Sequence, residues 1–311
     1  MEGKINIHSY INMDWINDLC SRTNLDIIEF LQEIGLISKS YHCSQCHSNM
    51  ALVRSNVSDG YQWRCRSTTG NIHDVRRSIR NGTWFEKSRL SIRQIIKLTY
   101  YWVEAYPQRI VLHEMRISSH TLVDWYNFSR EVCTNIIMES EKKIGGIGKI
   151  VEIDESKFGK RKYNKGKRVD GQWVFGGVCR ETKECFLYTV EDRSKETLLA
   201  LIKEKIEPGT TIHSDCWKSY NCLDDEGYHH LSVNHSITFK NSANGCHTNT
   251  IEGLWAQVKS KLPERNRQKI LFDSYLSEYM YRHQISDKGN IFSAFMSDIA
   301  KVFKPLQNDE V

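Results

Sequence analysis

The stretch Ile150-Val151-Glu152-Ile153-Asp154-Glu155-Ser156-Lys157-Phe158-Gly159-Lys160-Arg161-Lys162 decides how the rest of the chain is read. An apolar run ends on a carboxylate and passes at once into a cationic segment, as a buried strand does when it delivers an acid to the edge of a sheet. Further strand-like runs follow at about 149–156 (this one), 172–179 and 184–190, then a helix at about 195–206 with Ser194 as its N-cap. Pro208-Gly209 turns the chain into Thr211-Ile212-His213-Ser214-Asp215, a second strand ending on an acid. A short strand at about 229–234 precedes a helix at about 249–262, closed by Pro263, and helices fit about 268–285 and 291–303. This order predicts an α/β fold, a mixed sheet whose first strands are antiparallel, with flanking helices.

Three acids stand out: Asp154 and Asp215 at strand ends, and Glu252 one turn into the helix that follows His247-Thr248-Asn249-Thr250-Ile251. Carboxylates converging from two strands and a helix can hold two Mg2+ (or Mn2+) ions about 3.5–4 Å apart, the arrangement behind in-line phosphodiester chemistry. Each acid also has an ordinary reading. Asp215 can cap a helix starting at Cys216 or Trp217, and Asn249-Thr250-Ile251-Glu252 has the form of a capping box. Lys157, Lys160, Arg161, Lys162, Lys165, Lys167 and Arg168 follow Asp154 with no acid among them, and a basic turn beside an acidic strand end suits a site that grips a polyanion while holding metal.

With these residues quoted, the chain resembles the DDE transposases of the Merlin and IS1016/IS1595 group, with an ISXO2-like catalytic domain. The resemblance rests on Ile153 to Lys162, Trp173-Val174-Phe175-Gly176-Gly177-Val178, Val190-Glu191-Asp192-Arg193-Ser194, His213-Ser214-Asp215-Cys216-Trp217 and His247 to Gly253. It implies an RNase H-like catalytic domain, metal binding by Asp154, Asp215 and Glu252, and a dimer or higher assembly bridging two transposon ends. His247 and Asn249 match the family motif. They either touch DNA or position a metal-bound water, or Asn249 is simply the helix cap. His213, two residues before Asp215, shares its strand face; it either backs the metal ligands or packs as a strand histidine.

Upstream, Cys43-x2-Cys46 and Cys65 are three ligands of a zinc ribbon. Thr68 stands where a fourth cysteine is expected, so His73 is the natural fourth ligand for a structural Zn2+, with His42 and His47 weaker candidates. Cys20, Cys133, Cys179, Cys185, Cys216, Cys222 and Cys246 lack ligand spacing and read as buried small apolar residues. Arg76, Arg77, Arg80, Lys87, Arg89 and Arg93, interleaved with Trp84 and Phe85, read either as a DNA-facing patch or as a solvated face. Arg109 to Glu131 resembles a helix-turn-helix broken at Ile117-Ser118-Ser119.

A net charge of +5 over 311 residues permits nucleic-acid binding without requiring it, and an apolar share of 40% supports a folded core. Ten cysteines without a leader-like N-terminus point to a reducing compartment, with no membrane span. The expected organisation is an N-terminal helical segment at 1–40, the zinc ribbon at 41–85 and a helix-turn-helix-like region at 86–145. Gly145-Gly146-Ile147-Gly148 reads as a linker into the catalytic core at 149–265, with C-terminal helices at 266–311. The expected activity is Mg2+-dependent cleavage and strand transfer at transposon terminal inverted repeats. The site would be the nucleus in a eukaryote and otherwise the cytoplasm. A DNA-binding regulator that leaves the chemistry unused, and a plain structure-specific nuclease, are the rival readings.

Overall fold

The computed structural model describes residues 11–159, 171–233, 245–262, 271–285 and 290–305. They form two compact units, one of Met1–Val132 with Ile285–Val311, the other of Cys133–Gln284. The cationic run Lys160, Arg161, Lys162, Lys165, Lys167 and Arg168 lies outside the described residues.

In the first unit, α1 (Met13–Ser21) and α2 (Asn24–Glu33) start at side-chain caps from Asn12 and Thr23. A three-stranded antiparallel sheet follows, β1 (Ala51–Arg54), β2 (Tyr61–Ser67) and β3 (His73–Ser78). Helix α3 (Ile92–Val103) opens on a capping box between Ser91 and Gln94. Its apolar face meets α9 (Ile291–Val302), with Trp102 4.7 Å from Phe295 and Tyr100 5.9 Å from Phe292 between ring centroids. Burying each such ring stabilises the unit by roughly 1.5–3 kcal/mol.

Most of the arginines read as a basic patch are engaged within this unit. Arg80 is buried in a two-pronged ion pair with Asp59 (2.7 and 2.6 Å) and also donates to the Ser88 and Leu90 carbonyls. Arg93 donates to the carbonyls of Cys20 and Arg22, and Arg76 pairs with Asp74. Trp84 and Phe85 are buried. Helices α4 (Gln108–Met115) and α5 (Ser119–Glu139) meet at a tight turn where Arg116 adopts φ 50°. The exposed side of α5 carries His120, Val123, Asp124, Phe128 and Glu131, whereas Arg130 is buried, so this surface is not cationic.

The second unit is built on a five-stranded mixed sheet. Its strands are β5 (Ile150–Phe158), β6 (Gln172–Cys179), β7 (Cys185–Val190), β9 (Thr211–Asp215) and β10 (His229–Val233). β5, β6 and β7 form an antiparallel meander, and β9 and β10 run parallel to β5 on its other side, giving the order β10-β9-β5-β6-β7. That connectivity and order are those of an RNase H-like fold. Helix α6 (Lys195–Lys205), capped by Ser194, carries the crossover from β7 to β9. Helices α7 (Asn249–Lys261) and α8 (Phe272–Ile285) cover one face of the sheet, where Phe158 meets Trp255 and Phe272.

The glycine stretch expected as a linker is part of the fold. Ile144–Gly145 forms a short strand β4 paired with β8 (Ile206–Glu207), and the Gly146 amide donates to Thr210 Oγ1. Gly145 has φ 91°, and a Cβ there would stand 2.6 Å from Thr210 Oγ1, so only glycine suits the position.

Candidate active site and metal centre

The parallel register of β5 and β9 sets the first two acids side by side. Glu152 lies opposite His213, and continuing that register by two residues brings Asp154 level with Asp215 at the C-terminal ends of neighbouring strands. The period of two turns Glu152, Asp154, His213 and Asp215 to the same face. Helix α7 lies on that face. The Trp255 indole donates from Nε1 to Asp154 Oδ2 at 2.9 Å, and Glu252 sits one turn earlier on the helix.

Gly176, the β6 partner of Asp154, makes this approach possible. A Cβ there would come within 2.8 Å of the Trp255 ring. Burial pushes the Asp154 carboxyl up to about 6, aided by the charges of Asp215 and Glu252 and opposed by the Trp255 hydrogen bond. Three acids acting on one another in a half-buried strand end are the hard oxygen donors that suit a divalent cation.

Glu252 is not a capping-box residue. The helix begins at Asn249 itself after Thr248, which makes no side-chain cap bond, so the reading of Asn249 as N-cap is also set aside. The helix end is satisfied from the sheet instead. Glu152 is fully buried, and its carboxylate accepts the Ile251 amide (3.0 Å) and the Thr250 hydroxyl (2.8 Å). A carboxylate at a helix N-terminus is favoured by both the free amides and the helix dipole.

Arg180 neutralises that carboxylate, Nε to Oε1 at 2.5 Å. Its Nη2 lies 3.0 Å from His213 Nδ1 and 2.9 Å from His247 Nδ1, and donates to the His247 carbonyl at 2.8 Å. Burial, then the Arg180 charge, lowers the His213 pKa. His213 and His247 thus meet through Arg180 beneath the acids, and Glu152 and Arg180 are the partners that sequence reading missed. Apolar patterning hid Glu152 inside a strand, although a lone acid within an otherwise buried run is itself a signal of a buried partner.

Asp215 Oδ1 accepts the Trp217 amide at 2.9 Å before a short 3₁₀ turn, Lys218–Tyr220, so its turn-forming role coexists with its place beside Asp154. On the opposite face of β5, Glu155 is hydrogen-bonded to the buried Tyr220 hydroxyl, and burial raises its pKa to about 7. Lys157 belongs to β5 and not to a basic turn. It lies opposite Trp173, with Nζ 5.3 Å from that ring.

The candidate metal site in the first unit is locally made. Cys43, Cys46, Cys65 and His73 offer ligand atoms that all lie within 4.8 Å of one another. The Cys43–Cys46 turn closes with His47 at φ 56°, and the Gln45 amide points to Cys43 Sγ at 3.4 Å. Cys65 on β2 stands 3.5 Å from Cys46 Sγ and 3.3 Å from His73 Nε2. The turn from β2 to β3 carries Thr68 past the site and returns at His73. His73 Nδ1 meets the Asn71 carbonyl at 2.7 Å, which leaves the Nε2 lone pair aimed at the thiols, as in metal-bound histidines. Hydrogen bonds from Ser48 hold the Cys46 thiol down to about 6. Three thiols and one imidazole are a donor set that can hold a metal ion and complete a ribbon. Of the remaining cysteines, Cys133, Cys179, Cys185 and Cys246 are buried as expected; Cys20 and Cys222 are half-buried, and Cys216 is exposed, against expectation, because it follows the strand end.

Residues 145–284 match the model of the ISXO2-like transposase domain. An uncharacterized transposase-like protein of Haemophilus influenzae is 33% identical over 107 residues, which are 33% of this chain and 85% of that protein. Among solved structures, the HTLV-2 integrase catalytic core domain in complex with magnesium aligns at 11% identity and TM-score 0.28, covering 45% of this chain and 88% of its own. A simian T-cell lymphotropic virus intasome aligns at 12% identity and TM-score 0.29, covering 60% and 67%. Likeness of that degree carries no argument about activity. Family membership rests on the sequence relationship: the chain covers 85% of a transposase-like relative at 33% identity and matches the domain model over residues 145–284, most of its second unit, and so belongs to the ISXO2-like transposase family.

Proposed function

We propose that the protein is a DNA transposase that cleaves phosphodiester bonds at the terminal inverted repeats of its element and joins the freed 3′-hydroxyl to target DNA. The observation that carries this reading is the adjacency of Asp154 and Asp215 on parallel strand ends beneath the helix bearing Glu252. Mg2+ ions held there would lower the pKa of the attacking water and stabilise the leaving 3′-oxygen. The chain's own part is positional. Trp255 fixes the Asp154 carboxylate, Glu152 and Arg180 anchor α7 and with it Glu252, and the low-dielectric strand end strengthens every charge interaction.

The ribbon would hold a structural Zn2+ through Cys43, Cys46, Cys65 and His73, coupling metal binding to folding of that segment. Lys157 and the cations at 160–168 would contact phosphates, and two chains would bridge two element ends, in the nucleus or cytoplasm according to the host. No described helix is long and apolar enough to cross a membrane.

Incubating the purified chain with labelled inverted-repeat DNA and Mg2+ tests the reading. Cleavage followed by joining is expected. Cleavage alone would make the protein a nuclease, and specific binding without cleavage would make it a regulator.

A further inference from the structure

Beside the acids, on the sheet face turned away from α7, four side chains form a ladder. Lys157 Nζ lies 5.3 Å from the Trp173 ring; the Arg193 guanidinium lies 4.1 Å from the same ring and 4.4 Å from the Trp217 ring. Each cation–ring contact is an electrostatic attraction to the negative face of the ring. Arg193 is also 4.0 Å from Glu155, the neighbour of Asp154.

Trp217 ends the ladder and is 37% exposed. It is nonetheless held at several points. Its amide donates to Asp215, its indole Nε1 donates to the Arg193 carbonyl at 3.3 Å, and Ser219 Oγ donates to that same carbonyl at 3.1 Å. An exposed indole pinned in place, backed by a guanidinium and two residues from an acid of the site, has the features of a stacking platform: a rigid π-face, adjacent positive charge and no order left to impose on binding.

We propose that Trp217 stacks an unpaired DNA base next to the phosphodiester held at Asp154 and Asp215. The proposal rests on the reading of the site as one that acts on DNA. An unpaired base is the ligand this surface suits, because within a duplex both faces of a base are already covered by its neighbours, whereas an unpaired base has a face free for the indole. Arg193 serves twice, attracting the backbone and supporting the indole from behind.

The test compares binding of the full-length chain, without divalent metal, to two duplexes of one inverted-repeat sequence. One is fully paired; the other has three unpaired nucleotides at the cleaved end, one of them 2-aminopurine. The wild-type protein should prefer the unpaired end and quench the 2-aminopurine. Trp217→Ala should lose that preference, roughly tenfold in affinity for one stacked base, with binding to the fully paired duplex unchanged. Trp217→Phe, which keeps a ring but loses the indole N–H, should retain most of the preference and the quenching. An equal loss on both duplexes in both variants would reduce Trp217 to a brace for the Asp215 turn and overturn the proposal. So would an unquenched 2-aminopurine with the wild-type protein. Because no metal is present, the outcome is separate from catalysis: a chain that binds the unpaired end through Trp217 yet never cleaves would refute the transposase reading and leave the platform standing.

Discussion

The thiol–imidazole cluster and the carboxylate site are made in opposite ways. Cys43, Cys46, Cys65 and His73 come from one short hairpin and its preceding turn, and their geometry is set by local hydrogen bonds such as His73 to Asn71. Asp154, Asp215 and Glu252 come from two parallel strands and a helix, and that helix is tied to the sheet by a buried polar network to which none of the three belongs. A local site carries its own scaffold; a remote one borrows its scaffold from the domain. The first should therefore fail by losing its ion, the second by losing its alignment.

The largest expected effect is on chemistry. Asp154→Asn, Asp215→Asn and Glu252→Gln should each lower cleavage by more than the roughly 10- to 100-fold typical of residues behind a metal, while DNA binding persists. A folded variant that cleaves within a few-fold of wild type removes that residue from the site.

Next comes the alignment itself. Arg180→Met leaves Glu152 buried without its cation and should cost about 3–5 kcal/mol, seen as a lower denaturation midpoint. At temperatures where the variant stays folded, cleavage should still fall roughly 10- to 100-fold, because Glu252 rides on the helix that Glu152 anchors. Lost stability with full activity would mean that the network supports the fold alone, and the contrast drawn above would break.

For the ribbon, His73→Ala should reduce bound zinc below one per chain and loosen residues 41–85, whereas His73→Cys should keep both. His42→Ala and His47→Ala should retain the ion. Zinc measured on each purified variant decides among the three histidines, and retention in His73→Ala would transfer the role.

The smallest effect tests the glycine stretch. Gly145→Ala meets both a left-handed φ and the Thr210 hydroxyl and should cost about 1–3 kcal/mol. An unchanged melting temperature would return residues 145–148 to the status of a connector.

What sequence reading could reach follows from the same contrast. Cys43, Cys46 and Cys65 are legible because ligand type and spacing lie together on the chain, and the His73 substitution follows from Thr68 being chemically unfit. The succession of strands and helices in the second unit, with its first strands antiparallel, is legible because apolar runs and turn residues alternate along the chain, whereas the sheet order β10-β9-β5-β6-β7 is not. The partnership of Glu152 with Arg180 and the start of α7 is not, since nothing local marks residues so far apart as neighbours. Nor was it legible that Arg80 and Arg93 would be engaged inside the first unit, because charge patterning alone does not distinguish a buried guanidinium with partners from a solvated one.

The bond from the Ile251 amide to Glu152 has a consequence for how such a chain can change over time. Because the start of α7 is pinned to the strand that carries Asp154, the place of Glu252 is measured from that strand and not from the end of β10. The number of residues between Asp215 and Glu252 is then free to drift. Insertions there lengthen a connection at small entropic cost, each doubling adding only about 0.6 kcal/mol, while the three acids keep their mutual distances. Lineages of this fold can acquire new segments at that position without rebuilding the site, provided that the glutamate, the arginine and the helix start travel together.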